Sequence, residues 1–243
     1  DGDTTAAETL TINTDGFTGL SKVTVKDSSS LAAQQDTVEF TNLASGVELG
    51  VTNGDANMDI DFVYKTTTGT ADTATLNLNT AKADEITIAG IETLTIDGSG
   101  GASTIDTMVT TAATKYVITG DKKVTLTDID DATKTIDGSA STGGFAISGV
   151  GAVDTTITGG SGWDTVTIGT SLTAKDTIDL GAGTNRLVVG QSQTAALSGL
   201  SNIDELELEV ANSADGVSLE ISGLLTSSIT NFVIDSTAGA DDA

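Results

Sequence analysis

The chain has 243 residues, of which 35 are acidic and 10 basic, so its formal net charge at pH 7 is −25. It contains no cysteine, no histidine and no proline. Without cysteine there are no disulfides, thiol nucleophiles or thiolate metal sites, and without histidine there is no Ser-His-Asp triad or imidazole-bound zinc. Because the acidic surface repels phosphate groups, we expect no nucleic-acid partner.

The composition is nevertheless that of a folded protein, since 37% of the residues are hydrophobic and acidic disordered chains are poorer in such residues. No apolar run reaches 18 residues, so we expect no membrane insertion. The sequence opens on Asp1 without an initiator methionine or a charged-then-apolar leader. We therefore interpret it as an internal piece of a longer protein whose targeting signals lie elsewhere.

From the N-terminus onward, apolar and polar residues alternate in short runs. Examples are residues 10–13, 23–26, 76–79, 86–88, 94–97, 124–127, 206–210 and 219–222. In a strand, alternate side chains point to opposite faces, so each run has one aliphatic and one polar face. Clusters of Gly, Asn, Asp and Ser separate runs that recur about every ten to twelve residues, which indicates an all-β protein of many short strands.

The small core residues favour a solenoid over a sandwich. Aromatic residues make up only 3% of the chain, whereas short, evenly spaced aliphatic runs suit a coil of stacked rungs. The lack of proline fits strands that lie inside a sheet. We predict a parallel β-solenoid or β-helix over residues 66–243, preceded by a more sandwich-like β portion over residues 1–65.

The most informative motif is the nonapeptide GGSGWDTVT at residues 159–167. It fits the pattern G-G-x-G-x-D-x-U-x of calcium-binding β-rolls at every fixed position. Glycines allow a turn that aims carbonyl oxygens inward, and an aspartate adds charge for a cation that needs six to eight oxygens. The predicted metal-binding residues here are Gly159, Gly160, Ser161, Gly162 and Asp164. A plain glycine turn without metal is the alternative.

A degenerate copy of the motif, LGAGTNRLV, follows at residues 180–188. Asn185 replaces the aspartate and trails Asp164 by 21 positions, so both loops are predicted to lie on one edge of the stack. Asp176 and Asp179 precede this loop and are candidates to complete a cage. The predicted metal-binding residues here are Asp179, Gly181, Gly183 and Asn185. Trp163 is interpreted as a cover for the first turn.

Other acidic stretches are interpreted as solvated. In residues 55–61, a strand would place Asn57, Asp59 and Asp61 on one face, opposite Met58 and its apolar neighbours. A solvated acidic face is the favoured interpretation, and a weak surface cation site is the alternative.

Several phrases, in this order, resemble a known family. They are TGTADTATL at residues 68–76, GIETL at 90–94, IDGSASTGG at 136–144 and the nonapeptide from Gly159. Together they are similar to bacterial surface-layer (S-layer) proteins of the Caulobacter and Campylobacter surface-array type, which are related to type I-secreted RTX calcium-binding proteins.

The resemblance implies a structural protein that is secreted and forms a two-dimensional lattice with copies of itself on the cell surface. It further implies that Ca²⁺ stiffens the solenoid and bridges neighbours, and that a C-terminal type I secretion signal lies outside this sequence. Lipopolysaccharide would be bound by a region not present in this chain. On this basis we expect no enzyme activity.

Two alternatives to the lattice protein remain. One is a calcium-dependent adhesin or binding module of the same fold. The other is a β-helix enzyme that degrades polysaccharides with a pair of carboxylates.

Overall fold

The computed structural model describes residues 7–27, 35–190, 199–210 and 229–235. These residues form an all-β parallel β-solenoid of about 8 turns, built from two parallel sheets and without a helix. In the described ranges, accordingly, no helix is long and apolar enough to cross a membrane. The predicted solenoid fold is confirmed at this level.

The strands are numbered along the chain, and the two sheets are called sheet 1 and sheet 2. The strands of sheet 1 are β1 Thr9–Asn13, β3 Asp36–Leu43, β5 Met58–Tyr64, β7 Lys82–Ile88, β9 Ser103–Val109, β11 Val124–Asp128, β13 Phe145–Ile147, β15 Thr165–Gly169, β17 Arg186–Gly190, β19 Glu205–Glu209 and β20 Asn231–Asp235. The strands of sheet 2 are β2 Lys22–Lys26, β4 Glu48–Thr52, β6 Thr73–Asn79, β8 Thr93–Ser99, β10 Lys115–Gly120, β12 Thr135–Ser141, β14 Thr156–Thr158, β16 Thr177–Asp179 and β18 Leu200–Ser201.

From β1 to β19 the chain passes alternately through the two sheets, so each strand pairs with the strand two places further along the chain. In the C-terminal half, hydrogen-bonded partners in neighbouring rungs, such as Asp164 and Asn185, are 21 positions apart. At the N-terminal end the turns are longer, and the neighbours Thr11 and Glu39 are 28 positions apart. The repeat is therefore regular in space but uneven in sequence.

The strands before Lys65 belong to the same two parallel sheets as the rest. Strand β5 pairs in parallel with β3 on one side and with β7 on the other. The expectation of a sandwich-like portion is therefore wrong for the described residues of this part. Their strands pair in parallel within the two sheets of the solenoid, whereas the sheets of a sandwich consist of antiparallel strands. The proposed domain boundary near Lys65 stays a prediction.

The core is built from columns of stacked apolar side chains, most of them aliphatic. The register of sheet 2 places one column inward at Ala74, Leu94, Tyr116, Ile136, Ile157, Ile178 and Leu200. All of these side chains are buried, and the residues between them face outward. Each rung thus buries its apolar side chains against those of the rungs above and below.

Ile136 lies in the middle of this column, between Tyr116 and Ile157, and its side chain is fully buried. We expect Ile136→Ala to lower the free energy of unfolding by about 2–5 kcal/mol, because it removes buried methyl groups and leaves a cavity. Urea unfolding measures this change. Its neighbour Thr135 faces outward, and Thr135→Ala is the matched control with a smaller expected effect. Equal losses for the two variants would contradict the assigned register.

Candidate functional site

The two predicted loops lie on one edge of the stack, directly before strands of sheet 1. The pairing of β13, β15, β17 and β19 places Phe145, Asp164, Asn185 and Asp204 at the same position in successive rungs. The nonapeptide turn before β15 therefore stacks directly on the degenerate copy before β17. We call Asp164, Asn185 and Asp204 the Asx column.

The glycines of these turns allow backbones to approach closely. A Cβ on Gly162 would lie 2.2 Å from the backbone nitrogen of Gly144, and a Cβ on Gly183 would lie 2.0 Å from the carbonyl oxygen of Gly162. Gly183 also has a φ of +112°, which side-chain-bearing residues rarely adopt. The spacing of glycines in the motif is thus explained by turn-on-turn packing.

Asp164 is fully buried, with 0% of its surface exposed. Its Oδ1 accepts a hydrogen bond from the backbone N–H of Phe145 at 2.9 Å, and its Oδ2 accepts one from the N–H of Gly160 at 3.0 Å. Burial raises the pKa of this carboxyl above its ordinary value, although the two N–H donors oppose that effect. The carboxylate links its own turn to the rung below.

Asn185 is also buried and uses its whole carboxamide group. Its Oδ1 accepts a hydrogen bond from the N–H of Asp164 at 3.0 Å. Its Nδ2 donates to the carbonyl oxygens of Leu180 at 3.0 Å, Gly181 at 3.4 Å and Asn202 at 3.1 Å. The side chain thereby joins three consecutive rungs.

Asp204 completes the Asx column, although no sequence motif predicts a role for it. Its Oδ2 accepts a hydrogen bond from the N–H of Asn185 at 2.8 Å. The available signal was spacing, because Asp204 follows Asn185 by 19 positions, close to the 21 between Asn185 and Asp164. Residues 199–204 read GLSNID, which does not fit the pattern G-G-x-G-x-D, so the nonapeptide motif does not mark Asp204.

The two other candidate carboxylates are engaged by neighbouring N–H groups. Asp176 is buried, and its oxygens accept hydrogen bonds from the N–H groups of Thr155 at 2.7 Å and Thr173 at 2.6 Å. Oδ1 of Asp179 accepts bonds from the side-chain amide of Asn202 and the N–H of Gly181. These bonds, that of Asn202 foremost, hold the pKa of Asp179 below its ordinary value.

These contacts test whether the turns fit a calcium ion. Calcium takes six to eight oxygen ligands, but both oxygens of Asp164 already accept backbone N–H groups, and the carbonyls around Asn185 already receive its amide. Among the described residues, no group of three or more acidic side chains is arranged to hold a metal ion. In this arrangement the oxygens of the two turns are engaged by N–H donors of the chain, and calcium binding by these turns stays a prediction.

Trp163 covers its turn only in part. Its indole ring lies beside Gly183 of the next turn, yet 69% of the residue is exposed. A tryptophan so open to solvent offers an apolar contact surface on this edge of the stack.

Comparisons of the chain with protein-family models, with curated proteins and with solved structures found no match. The resemblance to surface-layer proteins therefore rests on the sequence phrases alone.

We expect Gly162→Ala to destabilise the protein by several kcal/mol, because the added Cβ would meet the backbone nitrogen of Gly144 and force the stacked turns apart. Thermal or urea unfolding measures the loss. Ser161 is exposed in the same turn, so Ser161→Ala is the matched control with little expected effect. A Gly162→Ala variant as stable as this control would contradict the close packing.

The raised pKa of Asp164 predicts a pH effect. A buried carboxyl with a raised pKa contributes stability at low pH that is lost as the pH rises through that pKa. We therefore expect the stability difference between wild type and Asp164→Asn to shift in favour of wild type as the pH falls through the raised pKa towards the ordinary pKa of an aspartate.

Urea unfolding at a series of pH values measures this difference. The exposed Asp106 supplies the control variant Asp106→Asn, which removes one carboxylate from the surface of sheet 1. Parallel curves for Asp164→Asn and wild type would contradict the burial of an ionisable Asp164.

Proposed function

We propose that the chain is a structural segment of a secreted, S-layer-type protein that assembles with copies of itself on the bacterial cell surface. The observation that carries the proposal is the stack of parallel rungs formed by the described residues, in which polar side chains of the turns bind neighbouring turns. Such a stack is a stiff building element, which is what a lattice requires.

The charged side chains favour a structural role over catalysis. The single arginine, Arg186, lies 3.0 Å from a carboxylate oxygen of Glu205 and also pairs with Glu207. These contacts, with Glu207 foremost, raise the pKa of Arg186 above its ordinary value. The guanidinium is therefore committed to two glutamates of the neighbouring strand β19, whereas a polysaccharide lyase would need a basic group directed at substrate.

The outer face of sheet 1 concentrates negative charge near the N-terminal end. Glu39 lies beside Asp61, and Asp59 lies beside Glu85, in adjacent strands. Burial and then the neighbouring carboxylates raise the pKa of Asp59, against a hydrogen bond from Gln35. Copies that each carry a net charge of −25 repel one another unless cations intervene.

We therefore assign the predicted Ca²⁺ to the contacts between copies, where a divalent cation reduces repulsion between acidic surfaces. Extracellular calcium modules work at about 10⁻⁴–10⁻³ M, far above the calcium level of the cytosol. Assembly that depends on such concentrations would take place outside the cell, in agreement with a secreted protein.

Calcium titration tests the proposal. We expect light scattering to rise as calcium passes through about 0.1–1 mM, and negative-stain electron microscopy to show ordered sheets, with a weaker response to magnesium. Replacing Asp59 and Asp61 by asparagine should change the calcium concentration needed, and Asp106→Asn should change it less. A protein that remains monomeric throughout would contradict the lattice proposal.

A calcium-dependent adhesin or binding module is the second candidate, and the exposed Trp163 favours it. Leu10 and Phe17 are also largely exposed at the N-terminal end of the stack. Because Trp163 is the only tryptophan, its fluorescence reports directly on ligand binding at this edge. A monomer whose tryptophan fluorescence changes when a glycan is added would support this candidate over the lattice.

A further inference from the structure

We propose that the carboxamide of Asn185 occupies the position that a cation would take in this turn, so that the stacked glycine turns are held together without metal. The proposal concerns the inside of the solenoid and is independent of any calcium between copies. It runs against the motif-based expectation of an ion in these loops.

Three carbonyl oxygens converge on one point of this turn. Those of Leu180 and Gly181 come from the turn itself, and that of Asn202 comes from the following rung. Carbonyl oxygens gathered in a buried place need a positive partner, which is either a cation or an N–H donor. The amide nitrogen of Asn185 lies within 3.0–3.4 Å of all three and supplies that partner.

The Asx column also satisfies backbone donors at this corner of the rungs. The N–H of Phe145 donates to Asp164, that of Asp164 donates to Asn185, and that of Asn185 donates to Asp204. Buried N–H groups without acceptors are costly. In a calcium-bound turn these side-chain oxygens would face the ion and could not serve the same donors in the same geometry.

The order of charges in the column supports the same conclusion. Asn185 is neutral and stands between the carboxylates of Asp164 and Asp204, and successive rungs are about 4.8 Å apart. A carboxylate at position 185 would add a third negative charge to the column and would face the three carbonyl oxygens. A bound cation would stabilise that arrangement, as would protonation of the carboxyl. In the turn before β17, the exchange of this amide nitrogen for an oxygen would therefore remove the donor and favour the binding of a cation.

The first test uses the wild-type protein at a concentration too low for assembly. We expect the same melting temperature in excess chelator with magnesium as in calcium. In chelator, hydrogen exchange should show the amides of Phe145, Asp164 and Asn185 protected. A wild-type protein that melts several degrees lower without calcium, or that protects these amides only when calcium is added, would overturn the proposal.

The second test compares two variants at the same position. In chelator, Asn185→Asp and Asn185→Ala should both melt below wild type, because both lose the amide donors. Calcium at about 10 mM should raise the melting temperature of Asn185→Asp by about 3–10 °C and leave Asn185→Ala unchanged. An Asn185→Asp variant that matches wild type in chelator, or that responds to calcium no more than Asn185→Ala, would overturn the proposal.

These outcomes are separate from those of the assembly experiment. Melting and hydrogen exchange report on single molecules, whereas light scattering reports on contacts between copies. A wild-type protein that assembles with calcium but melts independently of it would support both proposals. One that fails to assemble and still melts independently of calcium would contradict the lattice alone.

Discussion

Parallel stacking is the constraint on which the structure depends. Each residue meets the equivalent residue of the next rung at about 4.8 Å, so every column must tolerate contact with side chains like its own. Aliphatic residues satisfy this inside, as in the column through Ile136 and Ile157. Glycines satisfy it in the turns, where Gly144, Gly162 and Gly183 bring backbones together. Like charges in adjacent rungs repel each other, as Glu39 and Asp61 do on the outer face of sheet 1. The same acidic surface opposes association between copies unless cations reduce the repulsion.

The corner before the strands of sheet 1 shows how the stack accommodates polar groups that it cannot expose. A carboxylate or a carboxamide fits there because it accepts a backbone N–H from the adjacent rung. The same oxygen-rich geometry is what a calcium ion uses. A turn of this kind can thus be completed either by an ion or by the chain's own donors, and in the turn before β17 the amide of Asn185 donates to the carbonyl oxygens of Leu180 and Asn202.

For the described residues, the sequence was sufficient to predict the strands, the solenoid and the position of both glycine turns, because alternation and the spacing of Asp164 and Asn185 follow directly from the rung. The predicted strand at residues 219–222 lies outside the described residues. It could not predict what fills the turns, since Asp164 has the same identity whether it accepts N–H groups or binds an ion. The prediction of a sandwich-like N-terminal part is wrong for the described residues. Equivalent residues in neighbouring rungs are further apart in sequence there, with 28 positions between Thr11 and Glu39 against 21 between Asp164 and Asn185. A constant spacing therefore does not reveal the repeat in this part of the chain.

The unequal strand lengths have a mechanical consequence. Strands lie across the axis of the stack, so tension along that axis passes through the rungs in series and extension begins at the weakest link. In sheet 2, β6 and β8 share seven residue pairs, from Thr73 with Thr93 to Asn79 with Ser99. Strands β16 and β18 share only the pairs Ile178–Leu200 and Asp179–Ser201. Strands β13 and β15 of sheet 1 likewise share only the pairs Ala146–Thr165 and Ile147–Val166. Under load the described part of the stack would therefore open first in the region between β13 and β18.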